Sequence, residues 1–468
     1  MPWRESMEPV RMQRVAVMAP RERARDVLVQ VADAGLVELE TAPEAHEGRA
    51  NRLLQRATRT EAIAPRLSRD APDVEAWVRD DRLDLLAGEA ELEDRMAASV
   101  SRGLVTGVVG WIPAVDMPRL VERLSPDGGA VVPLPNPHGV DPPTRVHERG
   151  RLNRSFAPLV DTYSTVPYAD VDPTVLAGIA FVVMYGMMFA DAGQGSLLLI
   201  GGLLLRAGHL GRLNRFRPIW PFITGAGAMS IVMGVLFGEF FGPTGVLPVL
   251  WVEPLEEPIL LLSVSIGVGA CLLAAAYILG TINRWREGGW QLALVAPSGL
   301  AGIAVFLGLG LLGLGLYTGI GALTTAAVVV TVGGLTLTYI GLLAASGGGA
   351  TGAAEAGVEL FDGVIRLGTN VISFARLAAF GLAHAALGAI VWDATTGLWS
   401  VGGLAYVAAV VVFVVGNTVT FVLQAVVAGV QALRLEYYEL FSRVFVAEGR
   451  PFRPWSVPVA AGSPAMEE

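Results

Sequence analysis

Lysine is missing from this sequence: all 34 basic residues are arginine. Arginine also fills ordinary surface positions, so the bias reads as compositional. It removes one function class. The phosphate-binding loop Gly-x-x-x-x-Gly-Lys-Ser/Thr requires a lysine, so ATP hydrolysis by that route is excluded. Cysteine is nearly absent. Cys271 alone excludes an internal disulfide framework and any cysteine-based metal site, and no cofactor is expected. Charge is scarce, at 16% of residues against about 25% in a soluble domain. A net charge of −9 argues against a nucleic-acid partner. The first residues hold no apolar leader-like run, so no secretory signal is expected and the soluble region is expected in the cytoplasm.

What the chain has instead is apolar residues, 53%, and glycine, 56 of 468 residues. Nearly all charge lies before about residue 170, in short clusters between apolar runs, and at the C-terminal end. The organisation expected is a cytoplasmic α/β lobe over 1–134, a Pro-rich linker over 135–172, a membrane domain over 173–441 and a cytoplasmic tail over 442–468. In the lobe, alternation from Val10 predicts a strand. Ala24, Val27, Leu28 and Val31 predict an amphipathic helix ended by Gly35, and Leu36-Val-Glu-Leu-Glu a second strand. Residues 44–100 read as a short helical hairpin broken at Pro65 and Pro72, with Leu53, Leu54 and Ala57 on its apolar stripe. A strand over 104–113, a helix from Asp116 to Leu124 with Asp116 as N-cap, and a strand at 130–134 complete two β-α-β units. That pattern predicts a ferredoxin-like lobe carrying the hairpin.

Eight apolar segments follow, at 173–190, 193–206, 218–241, 258–281, 290–316, 321–345, 357–392 and 399–441. The last two are long enough to tilt or to extend past the interface. Arg206, Arg212, Arg215 and Arg217, then Arg284 and Arg286, then Arg443, Arg450 and Arg453 fall between or after segments on one side of an eight-span topology. Glu253, Glu256 and Glu257 fall on the other. The positive-inside bias then puts both termini in the cytoplasm of a multi-pass cell-membrane protein.

The costliest feature is Arg376, near the middle of the seventh segment. A mid-bilayer arginine costs at least about 2.5–3.5 kcal/mol on insertion scales. It is tolerable beside a carboxylate or a wet cavity. Asn370, Ser373, Arg376 and His384 project within one sector of the helix, and Asn417, Gln424, Gln431 and Arg434 form a second stripe. Two such stripes mark either an ion path or interhelical hydrogen bonding. Asp362 and Arg366 have i,i+4 spacing for an ion pair at the start of segment seven. Asp191 with Gln194, and Glu239, interrupt the ends of the first and third segments, either at the outer surface or lining an aqueous inlet.

Ser373-Phe-Ala-Arg-Leu-Ala-Ala-Phe-Gly-Leu-Ala-His-Ala385 resembles the signature of the membrane stator subunit of V-type and archaeal-type rotary ATPases, called subunit a or subunit I. Ala432-Leu-Arg-Leu-Glu-Tyr-Tyr-Glu-Leu-Phe, Gly449-Arg-Pro-Phe-Arg-Pro-Trp, Gly186-Met-Met-Phe-Ala-Asp-Ala-Gly-Gln-Gly, Gly110-Trp-Ile-Pro and Phe156-Ala-Pro-Leu-Val-Asp-Thr-Tyr fit as well. The resemblance implies a subunit of an ATP-driven translocase or ATP synthase that does not itself hydrolyse ATP. Its partners would be a proteolipid rotor ring of c/K type, peripheral stalk subunits of E/G type and the soluble ATPase sector. Two half-channels would carry H+ or Na+, with Arg376 facing the ring carboxylates and Arg434 assisting. His384 and Gln424, with Glu239, would line the outer half-channel, and Asp362, Asn370 and Ser373 the cytoplasmic one. The chain departs from the family where Gln424 replaces Glu and where Gln194 and Gln431 replace His. Its insertion between the β-α-β units is also short, where relatives carry a coiled coil and a second lobe. The competing class is an independent secondary transporter, but the sequence shows no clear inverted repeat. The acid facing Arg376 is expected on another chain.

Overall fold

The computed structural model describes residues 9–40, 48–56, 63–137, 140–145, 151–163, 165–209, 211–444 and 449–460. The described residues divide into two units, 9–145 with 449–460, and 151–444.

The first unit is built on strands β1 (Met12–Pro20), β2 (Glu38–Leu39), β3 (Val100–Arg102), β4 (Val105–Pro113) and β5 (Ala130–Pro133). Their order is β2-β4-β1-β5, with β3 also on β4, and every pairing is antiparallel. Alternation in β1 buries Val15, Val17 and Ala19 on one face. Helix α1 (Ala24–Ala34) lays Val27, Leu28 and Val31 into the same core. It ends at Gly35, whose φ of 58° lets its N–H return to the Val31 carbonyl at 3.1 Å. The expected hairpin region holds α2 (Arg49–Arg56), α3 (Val74–Arg79) and α4 (Leu83–Ala97), with Ala50, Val74, Leu86 and Ala90 in a small core of their own. Ala57 lies outside the described residues. Asp116 precedes α5 (Met117–Leu124) but accepts no first-turn N–H, contrary to the N-cap expectation. Its carboxylate instead faces Arg145 Nη1 at 3.3 Å.

Residues 449–460 belong to this unit. Trp455 and Val457 are buried in the core beside Val31 and Leu120. The segment is tied down by the Trp455 N–H to the Val37 carbonyl (2.8 Å) and by the Trp455 indole N–H to Glu91 Oε1 (2.7 Å). Phe441 and Val444 pack in the core of the second unit.

The second unit is helical. Within the expected linker, Arg151–Tyr163 is a helix, α6. Helices α7 (Thr174–Met188) and α8 (Ala192–Ala207) occupy the first two apolar segments, with 15 and 16 residues. That is about 22–24 Å, short of the ~30 Å hydrocarbon core. Among the described residues, six helical stretches are long and apolar enough to cross a membrane. The first contains α9 (Trp220–Phe237), then come α10 (Pro258–Val295), α11 (Leu300–Thr318) and α12 (Gly321–Ala345). The fifth joins α13 (Gly349–Ser373) to α14 (Ala375–Val401), and the sixth begins with α15 (Ala405–Leu435). The break expected near 282–289 falls at Gly288 (φ −132°) and Gly289 (φ 72°), which leave helical geometry and divide α10 in two; the chain turns again at 296–299, around Pro297. Glycine permits close packing of α8 on α9: a Cβ on Gly227 would lie 2.5 Å from the Leu199 nitrogen.

Ahead of α7 the backbone is pinned to α10, where Asn283 Oδ1 accepts the Val171 N–H at 3.1 Å. Arg284 pairs with Glu287 beside it. Asp170 is fully buried here. Burial, and after it the Glu287 carboxylate, push its carboxyl up to about 7, against the opposite pull of Arg284 and Arg286.

Two outcomes are expected. Trp455→Ala should destabilise the lobe by about 3–5 kcal/mol, read in the full chain as faster hydrogen exchange in β1 and β4; exchange unchanged from wild type would count against tail packing. For Asp170 the folded pKa lies above the unfolded one. Its contribution is therefore fully present below about pH 4 and is lost as pH rises through about 7. The melting temperature should fall between pH 5 and pH 8, and the fall should be smaller in Asp170→Asn. Equal falls in the two proteins would refute it.

Candidate functional site

The 53-residue segment Gly349–Val401 breaks once, at Phe374. The Phe374 N–H bonds to the Val371 carbonyl (3.2 Å), and the Leu377 N–H to the Phe374 carbonyl (2.9 Å). This three-residue spacing tightens the turn. The Phe374 ring is buried against α10 at Gly269, where no Cβ stands in its way. Arg376 follows directly in the first turn of α14, half-buried. The stripe read along one continuous helix therefore bends at its centre.

Opposite it, α15 passes into a π-helical turn, Glu436–Leu440, and the short α16, Phe441–Val444. In the π turn Glu439 meets Arg376, with Nη2 to Oε1 at 2.9 Å; the side chains are 24% and 6% exposed. Ser373 stands near the same carboxylate. The expectation that the acid partner of Arg376 sits only on another chain is corrected: one is supplied in cis. Glu439 stands eight residues after Gln431, about 80° off that residue's face on a regular helix, so the period of the stripe does not reach it.

The other expected residues divide into two groups. Toward the start of α13, Asp362 and Arg366 form the i,i+4 pair at 2.9 Å, both more than half exposed. Asn370 places its amide nitrogen on the Arg366 carbonyl (3.0 Å) and its oxygen on Arg443 Nη2 (3.3 Å). Arg434 is exposed rather than in line with buried Asn417 and Gln424, and its charge reaches Glu439 without an ion-pair contact.

On the far side of the Phe374 break lies a buried polar cluster. Asp191 and Gln194 are not at the surface; they are 0% and 1% exposed. Asp191 caps α8 through the Gln194 N–H (2.8 Å), and also accepts the N–H groups of Phe241 (3.0 Å) and Gly242 (2.9 Å). It thereby ties the loop after α9 to the start of α8. At Gly242, φ is 94°, and a Cβ there would lie 2.8 Å from the Gly388 carbonyl of α14, so this loop crosses α14 at backbone contact. Glu239, buried in the same loop, has Oε2 near Gly388. Gln194 Nε2 donates to Asn417 Oδ1 at 3.3 Å. His384 is buried against Phe189, centroids 5.1 Å apart. Glu239 Oε2, His384 Nδ1 and Gln424 Oε1 make no hydrogen bond to described residues; buried atoms of this kind ordinarily bind ordered water. Among the described residues no cluster has a metal-ligand constellation.

Asp191→Ala should release the loop at 239–242 and lower the melting temperature, because three buried N–H groups lose their acceptor at about 1–3 kcal/mol each. Hydrogen exchange at Phe241 and Gly242 reads this directly; protection equal to wild type would show that the carboxylate is not the tie.

Residues 96–244 match the V-type ATPase 116kDa subunit family. The A-type ATP synthase subunit I of Pyrococcus horikoshii is 25% identical over 386 residues, 80% of this chain and 57% of that protein. The Methanocaldococcus jannaschii protein of the same name is 28% identical over 389 residues, 74% and 54% of the two chains. The V-type ATP synthase subunit I 2 of Treponema pallidum is 35% identical over 143 residues, 29% and 32%. The chain spans a little over half the length of the archaeal relatives it matches. With its apolar helices, it is of multi-pass membrane type. On the family match and these relatives, the chain is similar to the subunit I proteins of V- and A-type ATPases.

Proposed function

We propose that this chain is the membrane stator of a rotary ATPase and carries H+ or Na+ past a proteolipid ring. The observation that carries the reading is Arg376: an arginine in an apolar helix pair, at a local break, half-buried and held by one carboxylate. On this reading α7 and α8 complete an eight-span topology with cytoplasmic termini, and the lobe is ferredoxin-like with a short helical hairpin. Peripheral stalk subunits and the soluble ATPase sector dock outside the membrane.

Each ring subunit brings a carboxylate to Arg376. The guanidinium favours its ionised form and so drives release of the bound cation. As a fixed cation, Arg376 also opposes a direct hop between the two half-channels. Arginine suits this because it stays charged in a low-dielectric site, where lysine could lose its proton. The buried cluster of Asp191, Glu239, His384 and Gln424 supports an outer half-channel; Ser373, Asn370 and Asp362 support a cytoplasmic one. Gln424 cannot relay a proton as a carboxylate does, so Glu239, His384 and bound water carry that side. Glu439 holds Arg376 in place between ring encounters, and the arriving carboxylate competes with it for the guanidinium. Arg434, exposed near Glu439, adds positive charge on the same side.

The test is the assembled complex in vesicles. Arg376→Ala should assemble with a ring of small proteolipids and a soluble ATPase and lose coupled ion pumping to background. Glu439→Gln should assemble and pump at a reduced rate. Normal pumping by Arg376→Ala would sink the mechanism, and purification of the chain without a ring would favour an independent transporter.

A further inference from the structure

A second polar site lies away from Arg376. Where α10 turns into α11, α12 finishes, the middle and last turns of α13 pass and the π turn closes, there is a cavity of about 590 Å3. That is within the size range of small-molecule sites. Its wall carries three arginines, Arg284, Arg366 and Arg443, against one carboxylate, the exposed Glu359. Arg284 and Arg366 have acidic partners, Glu287 and Asp362. The Arg366 pair is more than half exposed on both sides, so it holds weakly. Arg443 has no carboxylate partner among the described residues. It lies over the Tyr277 ring, 5.6 Å from the centroid, and donates to Asn370 at 3.3 Å. Tyr438 and Ser442 add hydroxyls to the same wall.

With Arg284 and Arg366 paired, the charge this wall offers a ligand is that of Arg443. It suits an anion. Guanidinium forks match phosphate oxygens, and basic pockets between membrane helices near the interface accept phospholipid headgroups. The position at a bundle end puts the cavity at headgroup depth. We propose that this cavity binds a phosphate-bearing anion, the headgroup of an anionic phospholipid, through Arg443 with Arg366 and Arg284. The inference needs only the cavity and a membrane around it, and does not rest on the ion-path reading.

The experiment uses the full-length chain purified in detergent, with phosphatidylglycerol and phosphatidylcholine offered together and retained lipid counted by native mass spectrometry. Phosphatidylglycerol should be retained roughly tenfold over phosphatidylcholine, with the preference lost in Arg443→Gln and largely kept in Arg443→Lys. Arginine modification by phenylglyoxal, mapped by peptide mass, needs no variant: phosphatidylglycerol should slow labelling of Arg443 and Arg366 in the wild-type chain. Protection by inorganic phosphate but not by phosphatidylglycerol would support the anion site and overturn the lipid as its source. No protection by either, with equal retention of the two lipids, would overturn the proposal.

Discussion

A guanidinium inside a bilayer must have its charge met by the protein, and the geometry around Arg376 follows from that need. Breaking a pair of this kind leaves a buried charge at a cost of several kcal/mol. Two departures from regular helix make the pair possible. The three-residue turn at Phe374 redirects α14, and the π turn at 436–440 presents Glu439. A regular helix through either position would send its side chains elsewhere, since one residue of register rotates a helical side chain by about 100°. Gly269 contributes by receiving the Phe374 ring, so a glycine on α10 fixes where an arginine on α14 can stand.

The buried carboxylate of Asp191 acts at a distance from that pair by a different means. It spends its lone pairs on backbone N–H groups, not on a cation. The loop carrying Glu239 is thereby held over α14 at Gly388, close to the helix that carries His384. Polar groups that bind backbone build the shape; polar groups left without protein partners, such as His384 Nδ1 and Glu239 Oε2, are the ones free to bind water or ions.

Much of this was legible in the sequence, and the misses have physical reasons. Apolar length located the long helices, and residues 321–345 were read to the residue because glycine starts α12 and polar, glycine-rich sequence follows it. The short α7 and α8 cross the same chemical signal with too few residues for a simple span. The turn at Pro297 was missed because the arginines at 284 and 286 looked like loop residues; they lie in α10, where Arg284 pairs with Glu287. Asp191 could not be assigned to the interior from pattern alone. Its burial depends on the return of residues 239–242, a contact about fifty positions away in the chain. Arg376 was visible from its cost, but Glu439 was not, because a π turn shifts register in a way that no hydrophobic period announces.

The partial exposure of Arg376 is the last constraint. A fully enclosed arginine would be a structural ion pair and nothing more, since no second carboxylate could approach it. A fully exposed one would be screened and would hold Glu439 weakly. Arg376 lies between these limits, with Nη2 committed to Glu439 and its side chain still 24% exposed. Competition between two acids for one guanidinium requires that combination. On the proposed mechanism, the resident acid keeps the charge satisfied when no visitor is present, and the exposed part admits the visitor. The pair would then serve stability and exchange through the same two side chains, with the break at Phe374 setting the balance between them.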